Sequence, residues 1–284
     1  MSFEASKLFD LTGRIALVTG GGTGLGAIIT QAYIQNGASK VFISGRRQEK
    51  LEETAGKINQ LGYTGKVIPI VGDVSTKEGA QDLVKKLTAA TDSLDILVNN
   101  AGIMLPVDPA RTDSSKEIES PEDYAARVAG GDFDGWVDQF KINAIGPYFV
   151  TFGLLPLLAK AAKKGDGRGS VIVITSIAGL SYPPAMSAAY QSSKAAAISV
   201  TKGLATRLSP YQIRVNSIAP GVFPSDMSVN LLVDNVKNSI PVRKFGDPEE
   251  IAGLALFLSS KTGGYTHGTN YVIDGGRLLN VPAS

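Results

Sequence analysis

The sequence predicts a doubly wound α/β fold, a single domain whose seven parallel strands run in the order 3-2-1-4-5-6-7. Three observations carry that prediction. Short apolar, β-branched runs alternate with helix-length segments along the 284 residues. The runs are near-continuously hydrophobic, which suits a parallel sheet covered on both faces. The first run passes directly into a glycine-rich turn and then a helical pattern, the usual entry of such a fold.

The strands are expected at Ile15–Thr19, Lys40–Ser44, Val67–Val71, Ile96–Val98, Ser170–Thr175, Arg214–Ile218 and Tyr271–Ile273. Between them Gln48–Leu61, Thr76–Thr91 and Pro248–Ser259 carry amphipathic helical patterns. Asp247-Pro248-Glu249-Glu250 combines an N-cap residue, a proline at the first helical position and early acids, so a helix starts there. Ile142–Ala159 is 18 residues without a charge, close to the length of a membrane span. It contains Asn143, Gly146, Pro147, Gly153 and Pro156, and is expected instead within one long buried helix from about Asp134 to Lys164. Pro106–Gly131 lacks periodicity and reads as a surface excursion, with a short helix beginning at Ser120-Pro121-Glu122-Asp123. Val222–Phe245 is far longer than the usual ~2–6 residues of such a connection and reads as a loop over the site.

Composition narrows the chemistry. There are no cysteines and one histidine, His267. Thiol nucleophiles, disulfides, thiolate metal sites and multi-imidazole sites are excluded, and no metal is expected. No G-x-S-x-G elbow occurs, against an α/β-hydrolase. A net charge of +2 and a pI near 8.6 are too mild to argue for nucleic acid or anionic lipid. Met1–Asp10 carries Glu4, Lys7 and Asp10 and no apolar run, so it does not read as a signal peptide, and a cytoplasmic protein is expected. Acid–base chemistry then falls to Tyr, Lys, Asp or Glu.

Gly20-Gly21-Gly22-Thr23-Gly24-Leu25-Gly26 follows the first strand. Glycine lets the backbone approach a pyrophosphate, and the helix behind presents free N–H groups and a positive dipole end. The second strand ends at Gly45-Arg46-Arg47, where chains that grip the ribose of NAD usually carry an acid. A guanidinium there clasps a 2′-phosphate bidentately, so NADP(H) is expected. Asp73 stands just past the third strand, to bind an adenine amino group or to cap a turn. Asn99-Asn100-Ala101-Gly102 lies beyond the fourth, at the ligand-binding edge. Ser176 ends the fifth strand, and Tyr190-x3-Lys194 opens an Ala-rich helical stretch. Residues four apart share a helix face, and a nearby cation favours a tyrosinate. Nine tyrosines and 28 basic residues make about one such pair by chance, so its weight comes from its company.

Taken together, Thr19-Gly-x3-Gly24-x-Gly26, Asn99-Asn100-Ala101-Gly102, Asn143, Ser176, Tyr190-x3-Lys194 and Pro220-Gly221 resemble the short-chain dehydrogenase/reductase family from about Leu11 to Gly276. The resemblance implies hydride transfer between a nicotinamide and a carbonyl or secondary alcohol, on a Rossmann-type fold. It implies Tyr190 as general acid, Ser176 as carbonyl polariser, and Lys194 holding the ribose while lowering the tyrosine's pKa. Asn143 would anchor a water that links Lys194 to solvent. Gly20, Thr23, Gly24, Leu25, Gly26, Arg46, Asp73, Val74, Asn100, Ala101, Gly102, Tyr190, Lys194, Pro220, Gly221 and Val222 are the expected cofactor contacts. Thr23 departs from the basic residue that NADP-preferring members often carry, which leaves the preference on Arg46, helped by Arg47 and Ser44. The spacer from Gly102 to Asn143 is long for the family by over a dozen residues.

The Tyr-x3-Lys spacing resembles carbonyl reducers, and Ala219–Met227 with Ile240-Pro241 looks like 3-oxoacyl reductases and the rhamnolipid-pathway reductase. Val222, Phe223, Met227, Val229, Leu231 and Leu232 are expected to line the substrate pocket, with Leu180, Tyr182 and Met186 on the opposite rim. Arg243 is the one cation expected to approach it. A medium-sized, mostly apolar ketone follows, such as a 3-oxoacyl, aromatic or polyketide-like carbonyl. The alternatives are an NAD(H)-dependent alcohol dehydrogenase and a catalytically silent dinucleotide sensor. Apolar surface around Phe140, Phe149, Phe152 and Leu155 predicts a homo-oligomer, a tetramer by resemblance.

Overall fold

Seven parallel strands form one sheet in the order β3-β2-β1-β4-β5-β6-β7 in the computed structural model, which describes residues 3–106, 120–182 and 186–280. They are β1 (Ile15–Thr19), β2 (Lys40–Gly45), β3 (Lys66–Val71), β4 (Ile96–Asn99), β5 (Ser170–Ile174), β6 (Arg214–Pro220) and β7 (Asn270–Ile273). Each lies within two residues of its predicted run. The chain winds outward from β1 through β2 and β3, then crosses back to β4 on the other flank, with Ala16 paired to both Val41 and Ile96. At that reversal the carboxyl ends of β1 and β4 diverge and leave a crevice.

The helices are α1 (Ala5–Leu8), α2 (Gly24–Gln35), α3 (Gln48–Asn59), α4 (Lys77–Ala90), α5 (Pro121–Ala129), α6 (Phe133–Phe140), α7 (Gly146–Gly153), α8 (Leu155–Ala162), α9 (Ala188–Leu208), α10 (Asp234–Ser239) and α11 (Pro248–Ser259). Alternation along the strands sends neighbours to opposite faces. Val18, Ile43 and Val98 pack with Ile29, Tyr33, Leu51 and Leu258 of α2, α3 and α11. Leu17, Phe42 and Leu97 pack with Leu83, Val150, Leu158 and Leu204 of α4, α7, α8 and α9 on the other face. The start of α11 is as expected: Asp247 and Glu250 form a reciprocal capping box with Pro248 inside it.

One expectation fails. The single long helix over about Asp134–Lys164 is instead α6, a π-type turn at Lys141–Ile145, α7 and α8, with a bend of 62° between Phe133–Gly153 and Leu155–Ala162. Pro156 lacks an N–H and its ring crowds the carbonyl four residues earlier, so the helix breaks at Leu154. Gly153 lets α7 sit against α4, since a Cβ there would lie 2.6 Å from Val84. Among the described residues no single helix is long and apolar enough to cross a membrane. Of the predicted excursion, residues 107–119 lie outside the described residues. Its end forms α5, capped by Ser120 and without a buried residue.

Candidate active site

A cleft of about 680 Å³ opens at the carboxyl edge of the sheet, where β1 and β4 part. Its floor is the turn after β1. Gly20 has φ +64° and Gly24 has φ +52°, both in the left-handed region. A Cβ on Gly26 would lie 2.3 Å from the Gly20 carbonyl oxygen, so only glycine lets α2 begin this close to the turn. Gly26 therefore shapes the cradle from behind and does not line the cleft, while Gly20, Thr23, Gly24 and Leu25 do. The Thr23 side chain caps nothing, which leaves the first N–H groups of α2 free.

The end of β4 braces this turn. Asn100 Nδ2 donates to the Thr19 and Gly20 carbonyls at 3.0 and 3.1 Å, and the backbone N–H groups of Asn100 and Ala101 both donate to Thr19 Oγ1. Thr19 is a brace that the motif reading did not single out. Asp73 takes the capping role: Oδ1 accepts the Ser75 N–H at 2.9 Å, and the residue lines the cleft beside Val74. At the far end Arg46 and Arg47 are joined by Lys50, which sequence reasoning passed over because it sits on the amphipathic face of α3. Beneath them Ser44 Oγ is buried without a hydrogen-bond partner among the described residues. An orphaned hydroxyl under three cations, opening onto a glycine cradle, fits a phosphorylated dinucleotide.

Ser176, Tyr190 and Lys194 line the middle of the cleft. Ser187 caps α9 by accepting the Tyr190 N–H, which sets Tyr190 in the first turn and Lys194 one turn on. Ser176 begins a short 3-10 turn, Ile177–Gly179, laid against α9. That contact needs Gly179, because a Cβ there would lie 2.6 Å from the Lys194 carbonyl carbon. Burial pushes the Tyr190 pKa up, and the nearby Ser176 hydroxyl offsets this only in part. Lys194 Nζ lies 5.7 Å from the Tyr190 ring centroid and donates to the Ile174 carbonyl at 3.1 Å. Burial pulls the Lys194 pKa down to about 8.

Asn143 is brought close but stands behind the wall. Its Oδ1 accepts the Ile103 N–H, and its Nδ2 donates to the Ile103 carbonyl and to Ser193 Oγ, each at 2.9 Å. Ser193 in turn donates to the Tyr190 carbonyl at 2.8 Å. Both amide hydrogens are spent, so the side chain clamps the segment after Gly102 to the first turn of α9. A Cβ on Gly102 would press on Asn143 Oδ1 and Lys194 Nζ at 3.2 and 3.3 Å.

The substrate side is only partly as expected. Val222, Phe223, Met227, Leu231 and Met186 line the cleft, with Ile103 and Met104 added from the segment after β4. Leu180, Tyr182 and Val229 are exposed, and neither they nor Leu232 line the cleft. The Gly246 N–H donates to the Val222 carbonyl at 2.9 Å, and Phe223 fills the space under Gly246, so the long loop closes at its neck. Gly221 meets the end of β7, where a Cβ would lie 2.8 Å from Asp274 Cα, and Pro220 completes this corner of the cleft. Arg243 is exposed, bonds the Asn238 carbonyl and does not reach the cleft. Arg277 does.

Known proteins share this plan. A family described as short chain dehydrogenase matches residues 14–235. The short-chain dehydrogenase/reductase VdtF of Byssochlamys spectabilis is 36% identical over 100% of this chain and 98% of its own length. The rhamnolipids biosynthesis 3-oxoacyl-[acyl-carrier-protein] reductase of Pseudomonas aeruginosa is 36% identical over 94% of this chain and 97% of its own. A solved structure, the Pseudomonas aeruginosa RhlG/NADP active-site complex, superposes with a TM-score of 0.82 at 35% identity, covering 95% of this chain and 98% of that one.

Proposed function

The chain belongs to the short-chain dehydrogenase family, and on that premise we propose that it is an NADP(H)-dependent reductase of a medium-sized, mostly apolar ketone. One observation carries the proposal: a buried phenol, sharing the cleft with Ser176 and one helical turn from a buried lysine, faces a cleft that ends in three cations.

Arg46, Arg47, Lys50 and the orphaned Ser44 hydroxyl would receive a 2′-phosphate, while the turn from Gly20 to Leu25 would hold the pyrophosphate. When bound, the nicotinamide supplies the hydride. Ser176 donates a hydrogen bond to the ketone oxygen, and Tyr190 passes that oxygen its proton as negative charge develops there. Burial raises the Tyr190 pKa, so the phenol carries its proton at neutral pH, the state an acid catalyst needs. Lys194, on the same helix face, holds the ribose and supplies positive charge beside the phenol. Asn143 holds the Gly102–Ile103 segment and α9 in register rather than touching substrate.

The wall formed by Ile103, Met104, Met186, Val222, Phe223, Met227 and Leu231 supports an apolar carbonyl over a sugar. The name of the 3-oxoacyl reductase of Pseudomonas aeruginosa agrees with that chemistry. A panel of 3-oxoacyl, aromatic and polyhydroxylated ketones, read by NADPH consumption, tests the reading; a clear preference for polyhydroxylated substrates overturns it. Exposed Ile145 and Phe149 at the α7 end support a homotetramer, which light scattering checks. A cysteine-free chain has no call for an oxidising compartment, in line with a cytoplasmic setting.

A further inference from the structure

Arg277 stands out among the cations of the molecule. It begins the 3-10 turn Arg277–Leu279, just beyond β7, and lines the catalytic cleft on the side of the substrate loop. Its guanidinium makes no hydrogen bond and no ion pair with any described residue, although it is half-buried. The nearest acid is Asp274, but that carboxylate is taken by its own turn: Oδ1 accepts the Gly276 N–H and Oδ2 the Leu278 N–H, both at 2.8 Å. Burial pulls the guanidinium's pKa down and Asp274 only partly offsets this.

Its position is held from two sides. Gly275 and Gly276, with φ of +62° and +82°, pack on Ile240, Pro241 and Val242 of the substrate loop. Asn280 Nδ2 donates to the Ser239 carbonyl at 3.1 Å, tying the end of the turn to α10. Those contacts fix Arg277 across the loop side of the cleft, away from Arg46, Arg47 and Lys50 at the other end. Five donors left open, on a wall that Met227 and Leu231 share with Asp226, Ser228 and Asn280, constitute a ready site for a planar anion, since a guanidinium matches a carboxylate with two parallel bonds.

We propose that Arg277 is a specificity-determining residue that receives a carboxylate on the ketone substrate, at the end remote from the reacting carbonyl. The proposal rests on the ketone-reductase reading and deepens it: the preferred substrate is an apolar keto acid rather than a neutral ketone. Its site is unlike that of a small keto acid, because the apolar wall of Met104, Met227 and Leu231 leaves room for a hydrocarbon or aromatic body between the two polar ends.

The matched probes are 4-acetylbenzoate and its methyl ester, tested on the parent, Arg277→Leu and Arg277→Lys. Calorimetry on the enzyme–NADP complex gives Kd without needing turnover, and NADPH consumption gives KM and kcat. The expected result is that Arg277→Leu weakens the acid at least tenfold, leaves the ester within twofold and leaves KM for NADPH unchanged. Arg277→Lys, which keeps the charge but loses the fork, falls between. Loss of acid binding in Arg277→Leu supports the site even if neither ketone is turned over, an outcome that would instead sink the reductase reading. Equal weakening of acid and ester, a parent that binds the ester as tightly as the acid, no detectable binding of either probe, or a raised KM for NADPH alone would each overturn the proposal.

Discussion

The turn from Gly20 to Gly26 and the loop from Val222 to Gly246 face each other across one cleft, but they are held in different ways. The glycine turn is closely packed on the side away from the cleft. Asn100 ties it to β4, Gly26 meets the Gly20 carbonyl, and Gly21 leaves no room for a Cβ beside Ile43. The loop is fastened at its neck and by the turn after β7, and between those points it carries α10, with no buried residue, and exposed Met227, Val229, Val233 and Val242. Close packing leaves the first wall one arrangement, whereas a wall with few buried contacts opens at low cost. The proton-transfer residues stand on rigid elements between the two, and the adaptable wall is left to choose the substrate.

Four changes break or sharpen that contrast. Tyr190→Phe removes the proton donor from the rigid side. It is expected to lower kcat for ketone reduction by about 10³-fold while leaving the Kd for NADPH within twofold, as read by stopped-flow and calorimetry. Arg46→Asp, at the far end of the same wall, replaces attraction for a 2′-phosphate with repulsion. The NADP/NAD affinity ratio should fall by about 10- to 100-fold, and an unchanged ratio would move the determinant to Arg47 or Lys50.

Lys194→Met tests how the rigid wall stores its cost. The folded pKa of about 8 lies below the ordinary lysine value of 10.5, so the buried ammonium destabilises the fold fully below pH 8 and less as pH rises toward 10.5. The variant should be inactive yet more stable at pH 7, by about 1–2 kcal/mol after the lost bond to the Ile174 carbonyl is counted. Thermal melts at pH 7 and pH 10 check this, with the gain shrinking at the higher pH. Met227→Ala, on the adaptable wall, is the mildest. It should raise the ketone KM a few-fold and leave the melting temperature within about 1 °C, because a half-exposed side chain contributes little to the fold.

With strand order and the place of Ser176 supplied by the family resemblance, the sequence by itself determined the strands, the glycine turn and the shared helix face of Tyr190 and Lys194. Those features rest on local patterns: apolar run length, a strand passing into glycine, a spacing of four on a helix. It also foresaw the start of α11, whose N-cap, proline and early acids lie within one turn. What escaped it depended on residues far apart in the chain. Thr19 braces Asn100 across 81 positions, and Gly179 matters because α9 presses on it, although nothing in its own neighbours marks it. The side-chain clamp of Asn143 was not legible either, because Ser193 and Ile103 arrive from other elements to use its amide. The break before α8 was written in Pro156, but its 62° bend followed from packing α7 and α8 over the same sheet face. Arg243 and Arg277 are both arginines in exposed-looking sequence; only the fold, by bringing the turn after β7 against the substrate loop, decided which one meets the cleft.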